Sequence, residues 1–160
     1  MGETIELKAS DGFELSAYKA APQGTPRGGL VVIQEIFGVN NHMRGVADGF
    51  ARDGYLCIVP AMFDRAQRGV QLGYSEKDIA AGRDIRGKIV DDMALKDMAA
   101  ARDALKGAGK IGIVGYCWGG YLAWIAATRL DGFAGAIYFY GGGIGNVAGE
   151  KPRCPVSMHF

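Results

Sequence analysis

The sequence predicts an α/β domain with a mostly parallel sheet, an antiparallel N-terminal start and helices on both faces. Three observations carry that expectation. Two short apolar runs, Leu30–Gln34 and Tyr55–Val59, flank a stretch in which Met43, Val46, Ala47, Phe50 and Ala51 recur at helical spacing. Strand, helix, strand at this separation is a βαβ unit, whose strands lie parallel. A third apolar run, Ile111–Gly115, turns sharply into another helical stretch that begins near Tyr121 and carries Leu122, Ile125, Ala126 and Leu130. Ahead of these, Thr4–Ala9 and Glu14–Ala20 alternate on either side of Ser10-Asp11-Gly12, a hairpin signal.

The remaining elements follow in order. Asn40 or Asn41 is a cap for the first helix and Gly54 closes it; Pro60 stops the strand after it. Asp64 to Val90 is the least regular part of the chain, charged and punctuated by Gly69, Gly73, Gly82 and Gly87, with Ser75-x-x-Asp78 able to cap a short helix. An excursion of this kind between sheet strands lies over the carboxyl edge and can wall a pocket. Asp91–Lys106 reads as a helix with Ala94, Met98, Ala101 and Leu105 along one stripe, and Asp97 and Asp103 as its solvated residues. Phe133–Tyr140 and Pro155–Phe160 are two further strands, with Gly141-Gly142-Gly143 ending the first.

The bulk properties are those of an ordinary globular protein. The chain has 160 residues, about half of them hydrophobic, and a net charge of +1. One domain spanning 1–160 is expected, with no repeat and no linker. There is no basic excess for nucleic acid, no apolar run long enough for a membrane-spanning helix and no signal-peptide pattern at the start. Cys57, Cys117 and Cys154 are widely spaced and odd in number, so neither a disulfide framework nor a zinc site is indicated. A cytoplasmic protein is expected, with no metal and no cofactor.

The chemistry concentrates at Gly115-Tyr116-Cys117-Trp118-Gly119. A G-x-[nucleophile]-x-G sequence between a strand and a helix is a nucleophile elbow, here with cysteine where serine is commoner. The nucleophile sits on a strained turn, and a Cβ at either flanking glycine would clash with the neighbouring strand or helix. The turn aims Cys117 at the carboxyl edge of the sheet and sets it beside a helix N-terminus, where free N–H groups favour a thiolate. A nucleotide-binding reading of Gly112-x-x-Gly-x-x-x-Gly119 is the minor alternative. Its spacing is not G-x-G-x-x-G, and it follows a late strand rather than the first βα turn.

Gln34-Glu-Ile-Phe-Gly-Val-Asn40, the Tyr55–Ala61 strand, Gly112-Ile-Val-Gly-Tyr-Cys-Trp-Gly-Gly120 and Cys154-Pro-Val-Ser-Met-His-Phe160 together resemble the dienelactone hydrolase family, a branch of the α/β-hydrolases. The likeness runs over nearly the whole chain in the family's order. Trp118 stands where the family has leucine, at a position that acts through its backbone. The resemblance implies a carboxymethylenebutenolidase-like hydrolase of small esters or lactones, including carboxylated dienelactones, working through an acyl-enzyme. It makes Cys117 the nucleophile, the N–H groups of Ile36 and Trp118 the oxyanion hole, and Glu35 the carboxylate that helps form the thiolate. Phe37 would line the pocket and Arg83 would meet the substrate's carboxylate, while the alternative reading makes Arg83 and Arg86 surface charges.

The resemblance also places the family's Asp and His beyond Phe160. His42, at a helix start, and His159, inside a strand, do not match the catalytic histidine. The fold is therefore expected without its C-terminal part, either as a fragment of a longer protein or as a catalytically incomplete binding or scaffold form. If the chain ends at Phe160, a bare apolar face is expected to drive dimerisation or element swapping.

Overall fold

The computed structural model describes residues 2–160 and shows seven strands in one sheet. They are β1 (Glu3–Lys8), β2 (Glu14–Ala20), β3 (Gly28–Ile33), β4 (Tyr55–Pro60), β5 (Ile111–Tyr116), β6 (Gly135–Phe139) and β7 (Val156–His159). Their spatial order is β1-β2-β4-β3-β5-β6-β7. β1 and β2 form the antiparallel hairpin that Asp11-Gly12 predicts, β2 pairs antiparallel with β4, and every pair from β4 to β7 is parallel. The helices are α1 (Asn41–Arg52), α2 (Glu76–Arg86), α3 (Asp91–Asp103) and α4 (Trp118–Arg129).

The sheet grows in two directions from β3. The chain steps to β4 on one side and later returns to lay β5 on the other. Such a reversal opens a crevice at the carboxyl ends of the two strands, where open α/β sheets take their ligands. Glu35 and Cys117 follow those two strands. This relation fixes the position of the site before any side chain is considered.

Helices cover both faces, as expected. Asn40 caps α1, its side-chain oxygen accepting from the Met43 N–H at 3.1 Å. Met43, Ala47 and Ala51 then pack on Val32, Cys57, Val59 and Val114. On the opposite face Ala94, Met98 and Ala101 of α3 join Leu122, Ile125 and Ala126 of α4 over Val31, Ile33, Ile111 and Ile113. α1 stops short of β6 and β7. There Leu30, Gly112, Ile137 and Val156 line an open apolar groove, and Ile137 is 41% exposed.

Three local expectations need correction. In the segment from Asp64 to Val90 the expected Ser75–Asp78 cap is present as a full capping box and opens α2, an 11-residue helix inside what the sequence marks as the least regular stretch. Gly82 is interior to that helix rather than a break: a Cβ there would lie 2.0 Å from the Ile36 carbonyl oxygen, so close helix-to-loop packing selects glycine. α4 starts at Trp118, immediately after the turn, and not near Tyr121. Asp97 is not solvated. It is 1% exposed and chelates Arg65, whose guanidinium donates to both carboxylate oxygens at 2.8–3.1 Å. Asp11 takes the other side of the same guanidinium, and the Phe13 ring lies beneath it. A helix-period count cannot see a partner 32 residues away. Asp103 is the surface residue expected, paired with Arg102 and Lys106.

Candidate active site

Cys117 stands between β5 and α4 with φ 55° and ψ −121°. A side chain in this region of backbone space is strained, and holding it there takes support from every direction. The flanking glycines supply that support through close approach. A Cβ on Gly115 would meet the Gly119 carbonyl oxygen at 1.8 Å, and one on Gly119 would meet the Gln34 oxygen at 2.4 Å and the Ile33 oxygen at 2.5 Å. The turn is thus pressed against the end of β3. The Cys117 N–H donates to the Phe139 oxygen at 3.1 Å, tying the turn to β6 as well.

Strand register sets the neighbours. Ile33 pairs with Gly115 and Tyr116 with Phe139, so Glu35, Cys117 and Tyr140 leave β3, β5 and β6 at the same level. Among the described residues, Cys117 and Tyr140 are the two non-glycine positions with positive φ, and both lie here. Glu35 is half-buried and accepts two phenolic hydrogen bonds, from Tyr74 to Oε2 at 3.1 Å and from Tyr140 to Oε1 at 3.3 Å. Burial, then the Glu35 charge, pushes the Tyr140 hydroxyl up to about 12. Tyr74 is raised for the same reasons. Both phenols therefore stay protonated at neutral pH and act as donors.

The other cysteines are chemically quieter. Burial pushes the Cys57 thiol up to about 12 and raises that of Cys154. Cys117 alone of the three sits at a helix N-terminus, where orphan N–H groups point outward. The N–H groups of Ile36 and Trp118 have no protein acceptor among the described residues. Two free donors and a thiol at one sheet edge form a constellation able to receive a carbonyl carbon and its oxygen.

The other sequence-predicted residues lie as follows. Phe37 is buried, its ring edge-on to Tyr74 at 4.6 Å. Arg83 and Arg86 are exposed on α2, which packs on the Ile36 loop, and Arg83 forms no ion pair among the described residues. His42 faces the Tyr74 ring at 6.4 Å. His159 stacks on Phe139 at 4.7 Å and meets Ser157. Among the described residues no group of three His, Cys, Asp or Glu side chains is placed to hold a metal, and no helix is long and apolar enough to cross a membrane. A cavity of about 240 Å³ behind the Gln34–Val39 loop is walled by Tyr18, Arg44, Phe63 and Asp64 but not by Cys117.

Three residues of the site had no role in the sequence reading: Gln34, Tyr74 and Tyr140. Gln34 stood in the motif without an assignment. Tyr140 stood as the last residue of a strand, although a tyrosine at a carboxyl edge is a usable signal. Tyr74 comes from the loop before α2, and nothing local ties it to Glu35.

The likeness to known proteins is extensive. A protein of Methylorubrum extorquens named "Putative carboxymethylenebutenolidase" is 31% identical over 160 residues, covering 96% of this chain and 54% of that protein. One of the same name from Azospirillum brasilense is 36% identical over 166 residues, covering 98% and 70%. The chain thus spans about half of the first and more than two thirds of the second. The crystal structure titled as a "Putative Dienelactone Hydrolase" from Klebsiella pneumoniae superposes with a TM-score of 0.72 at 28% identity, covering 88% of this chain and 60% of that one. A metagenomic "Dienelactone Hydrolase-like Promiscuous Phospotriesterase" also scores 0.72, at 21% identity, over 99% and 68%, which speaks to the fold. The sequence model of the dienelactone hydrolase family matches residues 15–160, and with the sheet order and elbow already described, this chain belongs to that family.

Proposed function

We propose that the chain carries the nucleophile and oxyanion half of a hydrolase acting on small esters or lactones of the dienelactone type. The observation that supports this best is the strained Cys117 backbone, held at φ 55° by two glycines packed against carbonyl oxygens. In the proposed reaction Glu35 accepts the thiol proton and Cys117 sulfur attacks the carbonyl carbon. The π pair moves onto oxygen, where the Ile36 and Trp118 N–H groups meet the charge. Collapse expels the ring oxygen, which takes the proton from Glu35 or solvent, and leaves a thioester; water adds its hydroxyl to the acyl carbon and its proton to the departing sulfur, restoring the thiol. Phe37 lines the acyl site, and Arg83 meets a carboxylate on the substrate. The family resemblance puts the Asp and His of the triad after Phe160.

The same proposal covers the setting: one domain over 1–160, cytoplasmic, working on a small molecule without cofactor, metal, nucleic acid or membrane. A net charge of +1 supports the absence of a nucleic-acid surface. Self-association through the open groove at β6 and β7 belongs with it, since apolar surface of this kind seeks cover.

The test is dienelactone hydrolysis by the protein and by Cys117→Ala, with intact mass measured for both. Turnover falling by about 10³-fold or more in the variant supports the reading. Equal turnover in both overturns it. A second reading, a form that binds the lactone without turning it over, is favoured by the histidines: His42 meets Tyr74 and His159 meets Ser157 and Phe139. Lactone binding that depends on Arg83, with no turnover, would select it.

A further inference from the structure

β3 ends at Ile33, so the next peptides have no strand ladder to hold them. Gln34 takes over that task with its side chain. The residue is fully buried, and both ends of its amide are used. Nε2 donates to the Glu35 carbonyl oxygen at 3.1 Å, and Oε1 accepts from the Met62 N–H at 3.1 Å, just past β4. Turning the amide over would set donor against donor at Met62 and oxygen against oxygen at Glu35, so its orientation is determined.

The gripped carbonyl is half of the peptide whose other half is the Ile36 N–H. A trans peptide is planar, with C=O and N–H pointing in opposite directions. Holding the Glu35 oxygen on the buried side therefore aims the Ile36 N–H outward. That N–H has no protein acceptor among the described residues, nor does the N–H of Trp118. The backbone oxygen of Gln34 is also the atom that a Gly119 Cβ would strike at 2.4 Å, one residue from Trp118. One buried residue thus touches the supports of both free donors.

We propose that Gln34 is a positioning residue for the oxyanion site: its side-chain amide locks the Glu35–Ile36 peptide plane, so that the Ile36 N–H is preset beside the elbow. The proposal rests on the reading of Cys117 as nucleophile and adds the residue that orients its electrostatic partner. Without the amide grip the peptide is free to rotate, and its N–H no longer meets developing charge without reorganisation.

The test uses a trifluoromethyl ketone or small aldehyde, which adds to Cys117 without a leaving group. The thiol proton goes to Glu35 or solvent, the sulfur–carbon bond forms, and the carbonyl π pair moves onto oxygen. The adduct thus needs the donors but not a complete triad. Gln34→Met, close in shape and without a donor, is expected to bind this probe roughly tenfold to a hundredfold more weakly. Its rate of Cys117 alkylation by iodoacetamide, which builds no oxyanion, is expected to stay within about twofold of the unaltered chain. Equal probe affinity in the variant and the parent overturns the proposal; so does a parallel fall in alkylation, which would mark a general disturbance.

If Gln34→Met does not fold, Gln34→Glu keeps the acceptor for Met62 and loses the amide donor, and the same ratio is read. In the unaltered chain, nuclear magnetic resonance supplies an independent measurement. Probe binding should shift the Ile36 and Trp118 backbone amides together with the Gln34 side-chain amide, and a Gln34 amide that does not move counts against the role. A parent chain that forms no adduct at Cys117 defeats the nucleophile reading itself, an outcome distinct from a Gln34 variant that binds the probe as well as the parent.

Discussion

The phenol of Tyr140 donates to Glu35 Oε1 at 3.3 Å across 105 residues of sequence, while Tyr74 donates to the other oxygen. The carboxylate that follows β3 is thus held by two donors that stay protonated at neutral pH. Each oxygen keeps a further acceptor site, so an incoming thiol would share the carboxylate's charge with the two phenols.

Removing the donors should therefore leave more of the carboxylate's accepting strength for the thiol. The double variant Tyr74→Phe, Tyr140→Phe is expected to alkylate at Cys117 about threefold faster at neutral pH, in line with the loss of about 0.5–1 kcal/mol of competing hydrogen bond. Stopped alkylation followed by mass gives the rate. An unchanged or slower rate would show that the tyrosines do not compete with the thiol.

The elbow glycines admit no side chain. In Gly115→Ala the new methyl would fall 1.8 Å from the Gly119 oxygen, and the atoms it meets are backbone that cannot swing aside. A loss of about 3 kcal/mol is expected, at the upper end of overpacking effects. Urea unfolding with an unchanged slope would measure it. A loss below about 1 kcal/mol would mean that the turn yields.

Asp97 and Asp103 lie on one helix and should behave differently. Asp97 is nearly inaccessible, and burial raises its carboxyl above the ordinary range against the pull of Arg65. Asp97→Asn leaves the buried guanidinium with Asp11 as its remaining carboxylate, and a loss of about 2–3 kcal/mol is expected. Asp103→Asn should stay within about 0.5 kcal/mol. Paired urea curves give both numbers.

Acid should weaken the chain through Glu150. Arg129 and then Thr128 hold its carboxyl down at about 2, from an ordinary 4.5. The folded value is depressed, so this contribution is complete above about pH 4.5 and is lost as pH falls towards 2. The stability difference between the parent and Glu150→Gln should shrink across that window. A difference independent of pH between 2 and 6 would remove Glu150 from the acid response.

Much of the architecture was legible in the sequence because its signals are local. Two-residue and 3.6-residue periodicities depend on neighbours a few positions away, so β3, α1, β4 and the α3 stripe could be read directly. Cys117 was legible for a related reason: a strained turn demands glycines at fixed offsets. α2 was obscured because Gly82, a packing residue, looks like a breaker in one dimension.

By itself, the sequence determined the strand–helix succession, the elbow and the place of Glu35 and Cys117 after their strands. Tertiary structure alone decided that β3 and β5 lie side by side, which brings those two residues to one edge. It also decided that Tyr74 and Tyr140 hold Glu35, that Asp97 is buried on Arg65, and that the Gln34 amide grips the peptide before Ile36. The physical reason is range. Propensity and periodicity act over a few residues, whereas hydrogen bonds between side chains and loop backbone depend on where the sheet has already carried distant segments.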